Sequence, residues 1–103
     1  MKSIDVKPED LETVRGILAR FIPDREVRAF GSRVTGNAKK FSDLDLAIMG
    51  DRPLSSSALA DLEEHFRESD LPFKVDIVEW AAAKENFRRV IEREDVVIQA
   101  ARD

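Results

Sequence analysis

The sequence contains no cysteine. That removes disulfides, zinc–thiolate centres and cysteine nucleophiles from consideration. It has no run of apolar residues approaching the length of a membrane span, and its first residues, MKSIDVKPEDL, lack the apolar core of a secretory signal. The expectation is therefore a cytoplasmic chain with no membrane association. A basic excess is also missing. The 21 acidic residues outnumber the 17 lysines and arginines, and the net charge is −4. General nucleic-acid binders carry a basic footprint, so that class is disfavoured. A small phosphorylated ligand held with metal ions stays compatible with this balance. The one histidine, His65, stands beside Glu63 and Glu64 in a helical stretch, far in sequence from any motif, and reads as a surface residue. No internal repeat, low-complexity tract or interdomain linker is visible.

What is present is a short alternation of helical and extended patterns. The 103 residues, 43% of them apolar, suit one core, so the reading is a single domain over 1–103. Residues 8–22 read as a helix. Pro8 fits its first position, Glu9 and Asp10 complement its positive end, and Leu11, Val14, Leu18 and Phe21 recur at helical spacing. Glu26 to Phe30 reads as a strand running into Gly31-Ser32. Leu44, Leu46 and Ile48 alternate with Asp43, Asp45 and Ala47 in the period of a half-buried strand. The serines at 55–57 offer caps for a helix to about Glu68, with Leu59, Leu62 and Phe66 facing inward. A third strand is expected over Phe73 to Trp80, a last helix over Ala82 to Arg93 burying Phe87, Val90 and Ile91, and a short terminal strand or extended tail over Val96 to Ile98. The expected architecture is α/β (α+β): a small mixed sheet of three to four strands flanked by about four helices. The stretch from Leu44 to Val78 is long enough for a parallel crossover, and the shorter link from Phe30 to Asp43 reverses direction.

Chemistry concentrates in FGSRVTGNAKKFSDLDLAI, residues 30–48. The period of two puts Asp43 and Asp45 on one side of a strand, with Leu44 and Leu46 anchoring the other. Adjacent carboxylates repel, and keeping both ionised is costly without a cation between them. Mg²⁺ held by carboxylates and substrate phosphates is the usual resolution. Asp76, between Val75 and Ile77, repeats the pattern. If its strand neighbours the first, it becomes a third ligand, and the trio suits a two-metal clamp for phosphoryl transfer. Gly31 and Ser32 follow a strand and open a helical turn, presenting backbone N–H groups and a hydroxyl to a phosphate. Arg33, Lys39 and Lys40 add positive charge beside them, the two lysines as solvated loop residues. Ser42 fixes the loop entering the strand, and Trp80 reads as a packing or interface residue.

Gly31-Ser32, ten residues and then Asp43-Leu44-Asp45 match the G-S-x10-D-x-D signature of the polymerase-beta-like nucleotidyltransferase superfamily. The fuller string resembles its minimal nucleotidyltransferase branch, and the resemblance extends over nearly the whole chain. It implies that Asp43, Asp45 and Asp76 bind the metals, two Mg²⁺ ions with Mn²⁺ as an alternative. Asp76 would also activate the acceptor hydroxyl, and Gly31 and Ser32 would hold the phosphates of ATP. Arg33 beside them reads either as a further phosphate contact or as a bond to a helix end or a carboxylate. Two departures are visible: Val34-Thr35 stands where many relatives carry alanine-arginine, and Gln99 where many carry a tyrosine. Domains of this branch resemble the antitoxin half of a pair with a helical HEPN ribonuclease toxin. The implied function is transfer of AMP to a hydroxyl of that partner within a hetero-oligomer. A non-catalytic antitoxin that masks its partner is the alternative. An RNA nucleotidyltransferase is a third reading, disfavoured by the acidic balance and by the lack of room for a domain to grip base or acceptor.

Overall fold

The structure is a computed structural model and describes residues 3–102; Met1, Lys2 and Asp103 lie outside it. Helix α1 covers Pro8–Phe21 and strand β1 Val27–Phe30. A single helical turn, α2, covers Ser32–Thr35 and leads through a loop to β2, Leu44–Ile48. Helix α3 spans Ser56–Glu68, β3 Val75–Glu79, α4 Glu85–Arg93 and β4 Val96–Gln99, with a 3₁₀ turn at Trp80–Ala82 before α4. The four strands form one sheet in the order β3-β2-β1-β4. β2 and β3 are parallel, while β1 runs antiparallel to both β2 and β4. The parallel crossover and the reversal after Phe30 are thus both present, in a mixed sheet.

Local sequence explains most boundaries. α1 begins at Pro8, whose missing N–H costs nothing at a helix start, and Glu9 and Asp10 follow in its first turn. Ser55 caps α3 by accepting from the Ala58 N–H at 3.2 Å. One face of the sheet is dry. Val27, Ala29, Leu44, Leu46, Ile48 and Ile98 pack there against Val14 and Leu18 of α1 and Leu62 and Phe66 of α3.

The other face carries a smaller cluster in which Phe30, Ala47 and Ile91 are buried with Met49, Val78 and Trp80 packed around them. Ala47 therefore shares its side of β2 with the aspartates yet is covered by α4. Burial of that helix is narrower than expected. Only Ile91 of the three anticipated residues is buried, whereas Phe87 and Val90 are 38% and 48% exposed. The helix also starts at Glu85 rather than Ala82, because the chain first makes the 3₁₀ turn. Phe87 reaches the sheet only edge-on, its ring 6.0 Å from that of Phe30. His65 is half-buried rather than a surface residue: its ring lies 4.2 Å from that of Phe21, at the contact of α1 with α3. Among the described residues no helix is long and apolar enough to cross a membrane.

Candidate active site

The second sheet face carries the carboxylates. Asp45 lies within β2 and is paired in register with Asp76 of β3. In a parallel pair, residues in register project to the same side, so the two side chains are neighbours. Asp43 is two residues before Asp45 and stands just outside the strand, exposed at its entrance. On the opposite flank Asp45 pairs with Phe30, and the chain then turns at Gly31. These pairings gather the three aspartates and the glycine turn at one end of β2.

Gly31 adopts φ 81° and ψ −155°, a region essentially reserved for glycine. A Cβ there would overlap the Asp45 carboxylate. The glycine thus turns the chain and lets that carboxylate lie against backbone. Ser32 opens α2, and the N–H groups of Val34 and Thr35 both return to the Gly31 carbonyl at 3.0 and 3.1 Å.

The electrostatics follow from the crowding. Burial, then the charges of Asp76 and Asp43, push the Asp45 carboxyl above the usual carboxylate range. A divalent cation relieves each of these costs, and carboxylate oxygens are its ordinary ligands, so the donor set fits such an ion. Among the described residues no group of three or more acidic, histidine or cysteine side chains is gathered tightly enough to enclose a metal. The aspartates share a face, and ligation would require their side chains to converge. Asp76 is 43% exposed and pairs with Lys74 at 3.5 Å. The i,i+2 spacing of Lys74 and Asp76 on a strand is the sequence signal that places both on one side. A cavity of about 650 Å³ opens beside β3, with Lys74, Asp76, Phe66 and Arg67 in its wall.

Arg33 departs from expectation. It is 7% exposed, and its guanidinium donates to the carbonyls of Ser42, Asp5 and Lys40 at 2.9, 2.8 and 3.3 Å. Its charged group also lies 4.3 Å from the centre of the Phe73 ring. A side chain so occupied is turned into the protein. Lys39 and Lys40 are exposed, and the Ser42 hydroxyl accepts from the Lys39 N–H at 2.8 Å, closing the loop before Asp43. At the Gln99 departure, the amide donates at 2.9 Å to both Ile22 and Arg25 carbonyls, tying β4 to the end of α1.

With this arrangement in hand, likeness to known proteins is informative. The family model described as Polymerase beta, Nucleotidyltransferase matches residues 17–103. A Haemophilus influenzae protein named probable protein adenylyltransferase MntA is 52% identical over 96 residues, which span 93% of this chain and 84% of that one. Among solved structures, a toxin–antitoxin complex with AMP-PNP contains a chain that superposes with a TM-score of 0.73 at 22% identity, over 89% of this chain and 74% of that one. A complex of a tri-AMPylated Shewanella oneidensis HEPN toxin with its MNT antitoxin gives a TM-score of 0.66 at 19% identity, over 90% of this chain and 71% of the other. At such identities the structural likeness bears on the fold.

Proposed function

We propose that this chain, which belongs to the polymerase beta nucleotidyltransferase family, transfers AMP from ATP to a hydroxyl group of a protein acceptor. The observation that carries the reading is the register pair of Asp45 with Asp76, placed on one face with Asp43 and against Gly31. Asp43, Asp45 and Asp76 are the ligands in this reading, for two Mg²⁺ ions or for Mn²⁺ in their place. A bound cation would neutralise charge on the phosphates and orient them for in-line displacement.

The remaining work falls to the chain itself. The turn at Gly31, with the Asp45 carboxylate packed against its backbone, opens into Ser32, and the two residues offer backbone N–H groups and the Ser32 hydroxyl to the phosphates. Asp76, at the open edge of the face, takes the proton of the acceptor hydroxyl as its oxygen attacks the α-phosphorus. The bond to the bridging oxygen breaks, and pyrophosphate leaves with the electron pair. Positioning and charge neutralisation supply most of the rate in such a reaction.

The acceptor in this proposal is a helical HEPN-type toxin, held in a hetero-oligomer and silenced by AMP. Two similarities support it: the relative named a protein adenylyltransferase, and the fold shared with antitoxin chains of toxin–antitoxin complexes. ATP is the substrate, and the cytoplasm is the compartment that supplies it. The test is to incubate the chain with a HEPN partner, Mg²⁺ and ATP and weigh the partner by mass spectrometry. An AMP-sized increase, lost in Asp43→Ala/Asp45→Ala, is expected. Unmodified partner that is nonetheless inhibited equally by both forms would replace transfer with masking.

A further inference from the structure

We propose that Arg33 is a positioning residue for the carboxylate face, holding the backbone that aims Asp43; the inference rests on the reading of Asp43, Asp45 and Asp76 as the reacting site. Asp45 and Asp76 need no such help, because the β2–β3 ladder sets their register. Asp43 precedes the first ladder residue, and its neighbour Leu44 is tied to the Lys74 carbonyl at 2.9 Å. On the other side of Asp43 stands Ser42, whose carbonyl receives the Arg33 Nε–H at 2.9 Å. The same guanidinium reaches Lys40 in that loop and Asp5 in the segment before α1. The Asp5 N–H answers by donating to the Arg33 carbonyl at 2.6 Å. Phe73, the ring beneath the guanidinium, lies just before the residue whose carbonyl holds Leu44.

A charge this deeply buried is tolerated only when its donors are satisfied. Here backbone carbonyls and an aromatic face do so, and three separate segments are drawn to one planar group. Arginine has the fork and the flat face for this; a lysine ammonium has neither. Arg33 follows directly on Ser32, so the phosphate-facing turn and the loop that presents Asp43 share one anchor.

The variant to make is Arg33→Lys, which keeps the charge. Three measurements on the full chain decide the role. Hydrogen exchange at residues 39–43 is expected to accelerate about tenfold while Ala29 and Leu46 stay protected, the signature of local rather than global opening. With partner and ATP, kcat is expected to fall about 10- to 100-fold with KM for ATP within about twofold, the scale seen when a group supporting a ligand is lost. Mn²⁺ alone is expected to raise the melting temperature of the variant less than that of wild type, although every aspartate is intact. A large rise in KM for ATP with unchanged kcat, Mn²⁺ response and exchange would make Arg33 a phosphate ligand and overturn the proposal. So would a folded variant equal to wild type in all three. If Arg33→Lys does not fold, Phe73→Leu, which removes the stacking face, is expected to move the same readouts in the same direction, and no movement there overturns the proposal. A wild type with neither transfer nor Mn²⁺ response sinks the site reading instead, and the positioning role with it.

Discussion

Asp45 holds a carboxyl that folding makes harder to ionise, through burial and then the charges of Asp76 and Asp43. Its folded pKa lies above its unfolded one, so the native state binds this proton more tightly. The associated stability is fully present below the ordinary aspartate range and is lost as pH rises through the raised value. At neutral pH the metal-free chain therefore carries an uncompensated cost. Asp45→Asn, which removes the charge and keeps the shape, is expected to melt higher than wild type at pH 7 without metal, with the gain shrinking as the pH is lowered below the aspartate range. A melting temperature lowered at pH 7 would contradict this. Gly31 is bound to the same carboxylate by space. Gly31→Ala meets both a backbone conformation costing on the order of 1–3 kcal/mol and the Asp45 oxygen. Transfer is expected to collapse along with a lower melting temperature; a fully active alanine variant would mean that the close approach is dispensable.

Elements differ in how much of them the sequence discloses. β2 and α3 are legible because their apolar residues keep one period from end to end and their ends carry caps or turn residues. The Asp43–Asp45 spacing is legible for the same reason. Their meeting with Asp76 depends on which strands pair and in which register, a long-range outcome that no local period encodes. Arg33 misleads for a related reason: next to Gly31-Ser32 it looks like a phosphate contact, and only the packing of Asp5, Ser42 and Phe73 reveals it as an inward anchor. In α4 the apolar positions Phe87, Val90 and Ile91 suggest a broad buried stripe, but the helix meets the sheet mainly through Ile91. Ile91→Ala is accordingly expected to cost about 2–5 kcal/mol, whereas Val90→Ser, at an exposed position, is expected to stay within about 0.5 kcal/mol. Denaturant titration of the two variants separates them, and equal losses would show that α4 packs more broadly.

The molecule as a whole arranges a dry face that holds the sheet and a second face on which carboxylates and a glycine turn stand together. A ligand that binds only the native state stabilises it by mass action, so a tenfold excess of Mg²⁺ over its dissociation constant adds roughly 1.4 kcal/mol. That increment is expected in wild type and largely absent from Asp43→Ala/Asp45→Ala, as read by thermal melting with and without the ion. Charge neutralisation by itself would also answer to metals, so the decisive question is which phosphorus is attacked. ATP labelled at the α-phosphate and ATP labelled at the γ-phosphate, each supplied with Mg²⁺ and the proposed HEPN-type acceptor, answer it directly. The α-label is expected to become covalently attached to the partner and the γ-label to be released as pyrophosphate. Attachment of the γ-label, or α-labelling that persists undiminished in the Asp43→Ala/Asp45→Ala variant, would contradict it.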